Sequence, residues 1–459
     1  EGLFQGGVHI LPPFPSSGDR GFAPLRYDQV DPAFGDWEDI RRIGQSHDVV
    51  VDLMVNHISR RSHFFQDFLR RGRRSAYADL FIPLDKVWPD GNPPQADVDK
   101  IFLRKPEHPF STVQIKESGS TERIWTTFGR TEPSEQIDLD VHAPAARQLF
   151  SDYLANFSAR GIKMVRLDAV GFVIKKPGTS CFMVEPEIYT FLAWINATAA
   201  SFGLEILPEV HDVFATQQKL AHHGYTVYNF ALPALILHAL LSRSAARLKQ
   251  HLSQCPRQQV TMLDCHDGIP ILPDVTGLLD LDSARLVVDA CQRQGARFSR
   301  IFADKHKPQA DFDIHQINCT YYSALNRNDD AYLAARAVQF FAPGLPQVYY
   351  VGLLAGENDF EGMQRSGENR AINRRNYTLA DVERDLQNPA SRRLQRLIHF
   401  RNACPAFNGA FSVLQSDDAH LKLAWQTESS TCQLSVDLST CQAVIRDQPV
   451  SGPVQEWQV

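Results

Sequence analysis

Residues 162–168 read IKMVRLD, an apolar run that ends on two charges. Ile162, Met164 and Val165 ask for burial, yet the run delivers Arg166 and Asp168 two residues apart, on one face if the segment is extended. A strand of this kind is built to present an arginine beside a carboxylate at its C-terminal end.

Six further runs have the same build: GVHIL (7–11), DVVVDLMVN (48–56), LEILPEV (204–210), YTVYNFALP (225–233), QQVTMLDCHD (258–267) and LPQVYYVG (345–352). Between most of them lie amphipathic stretches such as WEDIRRIGQS, AARQLFSDYLANFSARG and EIYTFLAWINATAASFG. The first opens after Gly35-Asp36, an N-cap signal, and the third closes at Gly203, a C-cap signal. Strand and helix alternating over about 350 residues predict a parallel α/β fold whose sheet is covered on both faces. The fold class is a (β/α)8 TIM barrel, which needs eight strands where seven are counted. The missing first strand is expected before residue 1, in a natural chain that extends further at its N-terminus.

Two stretches break the alternation. The boundaries read 1–57 barrel, 58–142 inserted B subdomain, 143–267 barrel, 268–326 second (B') excursion, 327–404 end of barrel, and 405–459 C-terminal domain. The long polar, Pro-rich 58–142 fits a subdomain better than a loop. In the last segment LKLAWQT, TCQLSVDL and CQAVIRD alternate as the strands of a small antiparallel β domain.

Composition narrows the function classes. A net charge of -6 offers no basic patch for nucleic acid. No stretch approaches ~20 uninterrupted apolar residues and no signal-peptide pattern is present, so membrane insertion and secretion are not supported. The 8 Cys are scattered without a C-x-x-C pair and read as reduced thiols of a cytoplasmic protein. DGNPPQADVD (90–99) carries acids but not the spacing of a calcium loop, so no metal is expected.

In a barrel of this type the functional residues stand at the C-terminal ends of the strands. The polar residues there are Asp52, Asn56 and His57, then Arg166 and Asp168, then Glu209 and His211, and finally His266 and Asp267. Singly, each reads as a helix cap, a surface acid or a satisfied core histidine. Jointly they fit transfer at a sugar acetal carbon, which in its retaining form needs one carboxylate as nucleophile and a second as acid and then base. Arg166 is expected to hold Asp168 ionised for the first role. Apolar Ile206 and Leu207 before Glu209 are expected to raise its pKa for the second. Asp267 would favour the charged transition state.

DLMVNH, RLDAVGF, PEVH and CHD resemble, in order, the four signature regions of the α-amylase superfamily. Within it the chain is similar to the sucrose phosphorylase group, through GTSCFMVEPEIY (178–189), YNFALPALILHAL (228–240), QINCTYYSALNRND (316–329) and AARAVQFFAPGLPQVYYVGLLAGENDFE (334–361), a likeness that covers almost the whole chain. The resemblance implies Asp168 as nucleophile, Glu209 as acid/base and Asp267 as transition-state stabiliser. It implies a donor pocket of Asp19, Phe22, His57, Gln136, Arg166, His266 and Arg370, with His211 beside it, and no cofactor. The group transfers glucose from sucrose-type donors to inorganic phosphate with retention.

The acceptor loops depart from those of sucrose-specific members. FLRKPEHPF (102–110) carries Arg104 and Lys105 where an R-P-R-P stretch is usual, and ADFDIHQIN (310–318) carries His315 in place of a tyrosine, flanked by Asp313 and Gln316. Cations converging on one subsite make a phosphate cradle. Relatives acting on sucrose 6'-phosphate resemble the chain there, so this donor is favoured over sucrose. The alternatives are a glucosylglycerol or glucosylglycerate phosphorylase, a hydrolase or isomerase on the same scaffold, and a silent amylase-like binding protein. The last would predict a lost carboxylate, and all three are present. The expected partners are small molecules, with the chain a monomer or homodimer.

Overall fold

The computed structural model describes residues 2–103, 109–129, 134–300, 312–450 and 452–459. It comprises two compact units: Gln5–Val210 with Ile301–Asp313, and Glu1–Phe4 with His211–Arg300 and Ile314–Val459. All seven apolar runs supply strands. In the first unit a four-stranded parallel sheet runs in the order Gly7–Ile10, Asp48–Met54, Ile162–Asp168, Glu205–Pro208. In the second unit Gln259–Thr261 lies between Val227–Asn229 and Leu345–Pro346, again all parallel.

The strands are buried on both faces. Val49, Val51 and Leu53 share one side of Asp48–Met54 and are inaccessible, while Asp52 and Met54 on the other side are buried as well. Such a strand has no solvent face to alternate toward, which is why its sequence reads as continuous apolar residues. Helices supply the cover. The predicted N-cap Asp36 starts Trp37–Ile43 with a full capping box, its carboxylate accepting from Asp39 N while Asp39 caps Asp36 N. Pro144–Ala159 opens on a proline, where the missing N–H costs nothing, and turns Phe150, Leu154 and Phe157 inward at helical spacing.

Between residues 58 and 142 the chain forms short elements with a core of their own. His57–Ser59 pairs antiparallel with Gln136–Asp138, and Phe110–Gln114 with Thr121–Trp125. Trp88 stacks on Trp125 with ring centroids 5.5 Å apart, packed with Ile82, Leu84 and Ile101. In the second unit Ile314–Asn318 lies between Ile269–Pro270 and Arg297–Arg300 in an antiparallel sheet. The C-terminal residues build the expected antiparallel sheet, five strands from Ala410–Val413 to Gln455–Gln458. Its Ser430–Asp437 strand alternates buried and part-buried positions along its whole length. None of the eight cysteines is in a disulfide. Among the described residues no helix is long and apolar enough to cross a membrane.

Candidate active site

In the first unit, parallel pairing sets Asp52 opposite Arg166 and Met54 opposite Asp168. Arg166 is thereby placed among carboxylates. Its Nη1 donates to Asp52 Oδ1 at 2.5 Å and to Asp168 Oδ1 at 2.9 Å, and its Nη2 lies 3.9 Å from Glu209 Oε1. The far side of Asp52 meets His9 Nε2 at 2.8 Å. Directly after Asp168 the chain turns sharply: Ala169 has φ of 52°, a left-handed conformation unusual for a residue with a side chain. The turn aims Ala169 N at Glu209 Oε2, 2.9 Å away, so the backbone that follows Asp168 also fixes Glu209.

The structure corrects the expectation that Arg166 simply keeps Asp168 charged. Burial pushes the Asp168 carboxyl up; Arg166 opposes this, but Glu209 and Asp52 add negative charge beside it, and the balance lies at about 7. One guanidinium is divided among three carboxylates, and its pull on Asp168 does not offset burial together with the two neighbouring acids.

The same unit assembles much of the expected donor pocket. Gly21 has φ of 109°, and a Cβ there would stand 2.6 Å from Pro12 O, so only glycine lets this turn form. Asp19 lies in the turn. The turn delivers Phe22, whose carbonyl accepts from His57 Nε2 at 2.9 Å and from Gln136 Nε2 at 2.8 Å. The Arg166 guanidinium carbon sits 6.0 Å from the Phe22 ring centroid. Sequence reasoning missed two members of this region. Lys175 and Asp138 form a buried ion pair at 2.7 Å. The only signal for it was a lysine seven residues beyond Asp168, in FVIKKPG.

The second unit holds Asp267 among cations. Arg370 Nη1 lies 2.9 Å and Arg374 Nη2 3.6 Å from Asp267 Oδ1. Burial alone would raise this carboxyl, but Arg370, His266 and Arg374 outweigh burial and hold it well below the usual carboxylate range. The backbone is clamped too: Asn373 Nδ2 donates to Asp267 O at 2.8 Å, and Arg374 Nε to His266 O at 2.5 Å. Asn373 and Arg374 lie beyond the predicted set, which stopped at Arg370. Arg370 also reaches Gln316 Oε1 at 3.2 Å, joining a predicted donor residue to a predicted acceptor residue.

His211 stacks on Phe230 at 3.8 Å, its Nδ1 3.1 Å from Asp274 Oδ2. The buried ring of His315 stands edge-on to it at 5.4 Å, with His315 Nδ1 bonded to Leu272 O. Asp313 immediately precedes the strand Ile314–Asn318 that carries His315 and Gln316. Arg104 and Lys105 lie outside the described residues.

A strand-end carboxylate pair organised by one arginine, on parallel α/β units followed by a C-terminal antiparallel sheet, defines a glycoside-processing enzyme of the α-amylase type. Residues 3–266 match the alpha amylase catalytic domain, so the fold is its (β/α)8 barrel. The chain is 54% identical over 96% of its length, and 90% of the relative's, to the sucrose 6(F)-phosphate phosphorylase of Thermoanaerobacterium thermosaccharolyticum. It is 46% identical over 95% of its length, and 88% of the relative's, to the glucosylglycerol phosphorylase of Marinobacter adhaerens. The crystal structure of sucrose 6F-phosphate phosphorylase from Thermoanaerobacter thermosaccharolyticum superposes with a TM-score of 0.97 at 53% identity, covering 100% of this chain and 93% of that one. The chain belongs to the α-amylase family and, within it, to the sucrose phosphorylase group.

Proposed function

We propose that the protein is a retaining glucosyl phosphorylase that cleaves a sucrose-type disaccharide, sucrose 6'-phosphate ahead of sucrose, with inorganic phosphate. The observation that carries this is the Asp168–Glu209 pair, tied through Arg166 and through Ala169 N. Asp168, ionised, attacks the anomeric carbon as the bond to the ketose oxygen breaks, and Glu209 gives that oxygen its proton. Phosphate then attacks the same carbon, Glu209 takes the proton back, and α-glucose 1-phosphate leaves with the original configuration. Asp267, held charged by Arg370 and Arg374, is assigned the stabilisation of the positive charge that develops on the sugar.

Preference for a phosphorylated donor is supported by the 54% identity to a sucrose 6(F)-phosphate phosphorylase and by Arg104, Lys105 and His315 in the acceptor loops. The test supplies sucrose and sucrose 6'-phosphate side by side in phosphate buffer and follows α-glucose 1-phosphate. A kcat/KM at least about 10-fold higher for the phosphorylated donor is expected, the value of one charged contact. Release of glucose without glucose 1-phosphate would sink the phosphorylase reading. The 46% identity to a glucosylglycerol phosphorylase supports a second reading, in which glycerol replaces the ketose. Running the reaction backwards, from α-glucose 1-phosphate with fructose 6-phosphate, fructose or glycerol, decides between them.

A further inference from the structure

We infer that Lys175 is a positioning residue for the glucosyl pocket, acting through a buried ammonium that fastens three chain segments to one another. The inference rests on the reading of Asp168, His57 and Gln136 given above. The Lys175 side chain is 3% exposed and its partner Asp138 is inaccessible. Around Nζ stand four oxygens: Asp138 Oδ2 at 2.7 Å, Asn56 Oδ1 at 2.9 Å, Thr127 Oγ1 at 3.0 Å, and the Phe172 carbonyl. An ammonium has three N–H bonds to give, so all of its hydrogen-bonding capacity is spent on protein oxygens and none on solvent.

Three of the four oxygens belong to segments that carry a pocket residue. Asn56 directly precedes His57. Its Oδ1 accepts from Lys175 while its buried Nδ2 has no hydrogen-bond partner among the described residues, so the ammonium is what orients this amide. Asp138 faces His57 across the antiparallel ladder and stands two residues from Gln136; both His57 and Gln136 donate to Phe22 O. The Phe172 carbonyl ends the tight turn that starts at Ala169, the residue after Asp168 whose N–H holds Glu209. Thr127 closes the group, its N donating to Asp138 Oδ1 at 2.9 Å and its hydroxyl to Asp138 Oδ2. A buried charge pair seldom adds net stability over an apolar replacement, whereas it does fix geometry where several groups must meet at one point. Lys175 touches neither Asp168 nor Glu209 and acts only through the segments that present them.

The test uses the full chain and α-glucosyl fluoride, a donor whose leaving group needs no proton. Lys175→Met removes the ammonium but strands Asp138, so folding itself is at risk. The double variant Lys175→Met with Asp138→Asn removes both charges and keeps both shapes. The fluoride burst counts competent active sites, so kcat is read per folded molecule. The expected result is a double variant that melts close to the parent with kcat down about 100-fold, the usual cost of a pocket displaced by about 1 Å. The loss should be equal with α-glucosyl fluoride and with sucrose 6'-phosphate, because the glucosyl side is what moves. A folded double variant with kcat within about threefold of the parent, below any displacement of that size, overturns the inference. Fluoride release needs only the glucosyl side of the site. A parent chain that releases fluoride but makes no glucose 1-phosphate therefore refutes the phosphorylase reading and leaves Lys175 to be judged on its own result.

Discussion

Arg166→Met isolates the electrostatics of the carboxylate group. With the guanidinium 2.9 Å away, Asp168 sits at about 7. A cation at that range lowers a carboxyl by roughly 1 to 3 units, so taking two, its removal moves Asp168 to about 9. At pH 7 the ionised fraction then falls from about one half to about one hundredth, and attack on the sugar slows about 50-fold. Raising the pH to 9 should restore about 50-fold in the variant but only about twofold in the parent. The assay is the burst of fluoride from α-glucosyl fluoride between pH 5 and 10, which reports the attack step without a proton from Glu209. Methionine preserves the length and bulk of the arginine stem, and the recovery at high pH shows that the variant is folded. The stability sign agrees: an acid whose folded pKa is raised makes the native state the better proton binder, so stability falls as pH rises from the unfolded value near 4 to about 7. In the variant that fall continues toward 9. A variant rate within about fivefold of the parent at pH 7, or an acid limb still near 7, would refute the assignment of Arg166 as the group that keeps Asp168 from rising further.

Two further predictions rest on separate features. Glu209→Gln should cost about 100-fold or more with sucrose 6'-phosphate and little in the first step with α-glucosyl fluoride, the range typical of general acid catalysis; equal losses on both donors would count against the acid role. Arg336 is fully buried, with Nη2 2.6 Å from Asp264 Oδ2 and Nη1 2.9 Å from Gln339 Oε1. Arg336→Met leaves Asp264 without its buried cation and should lower unfolding stability by about 3 to 5 kcal/mol in urea titration, and a loss under about 1 kcal/mol would mean that the aspartate finds another partner.

The amino-acid sequence by itself determined the strands and the charged residues at their ends. A strand covered on both faces leaves a run of apolar side chains that solvent never interrupts, so IKMVRLD and DVVVDLM are visible as strands, and the charges that end them stand out. Asp168, Glu209 and Asp267 were legible for that reason, as was the alternation that marks the C-terminal sheet. Tertiary structure alone decided how those charges are balanced. The neighbours of Arg166 lie 114 residues away at Asp52 and 43 residues away at Glu209, distances along the chain that no local pattern spans, and their sum raises Asp168 where the sequence predicted an ionised group. The same holds for Lys175 with Asp138 and for Arg374 with Asp267. Each is an ordinary charged residue in its local context, and only the fold brings it against a buried partner from a distant segment.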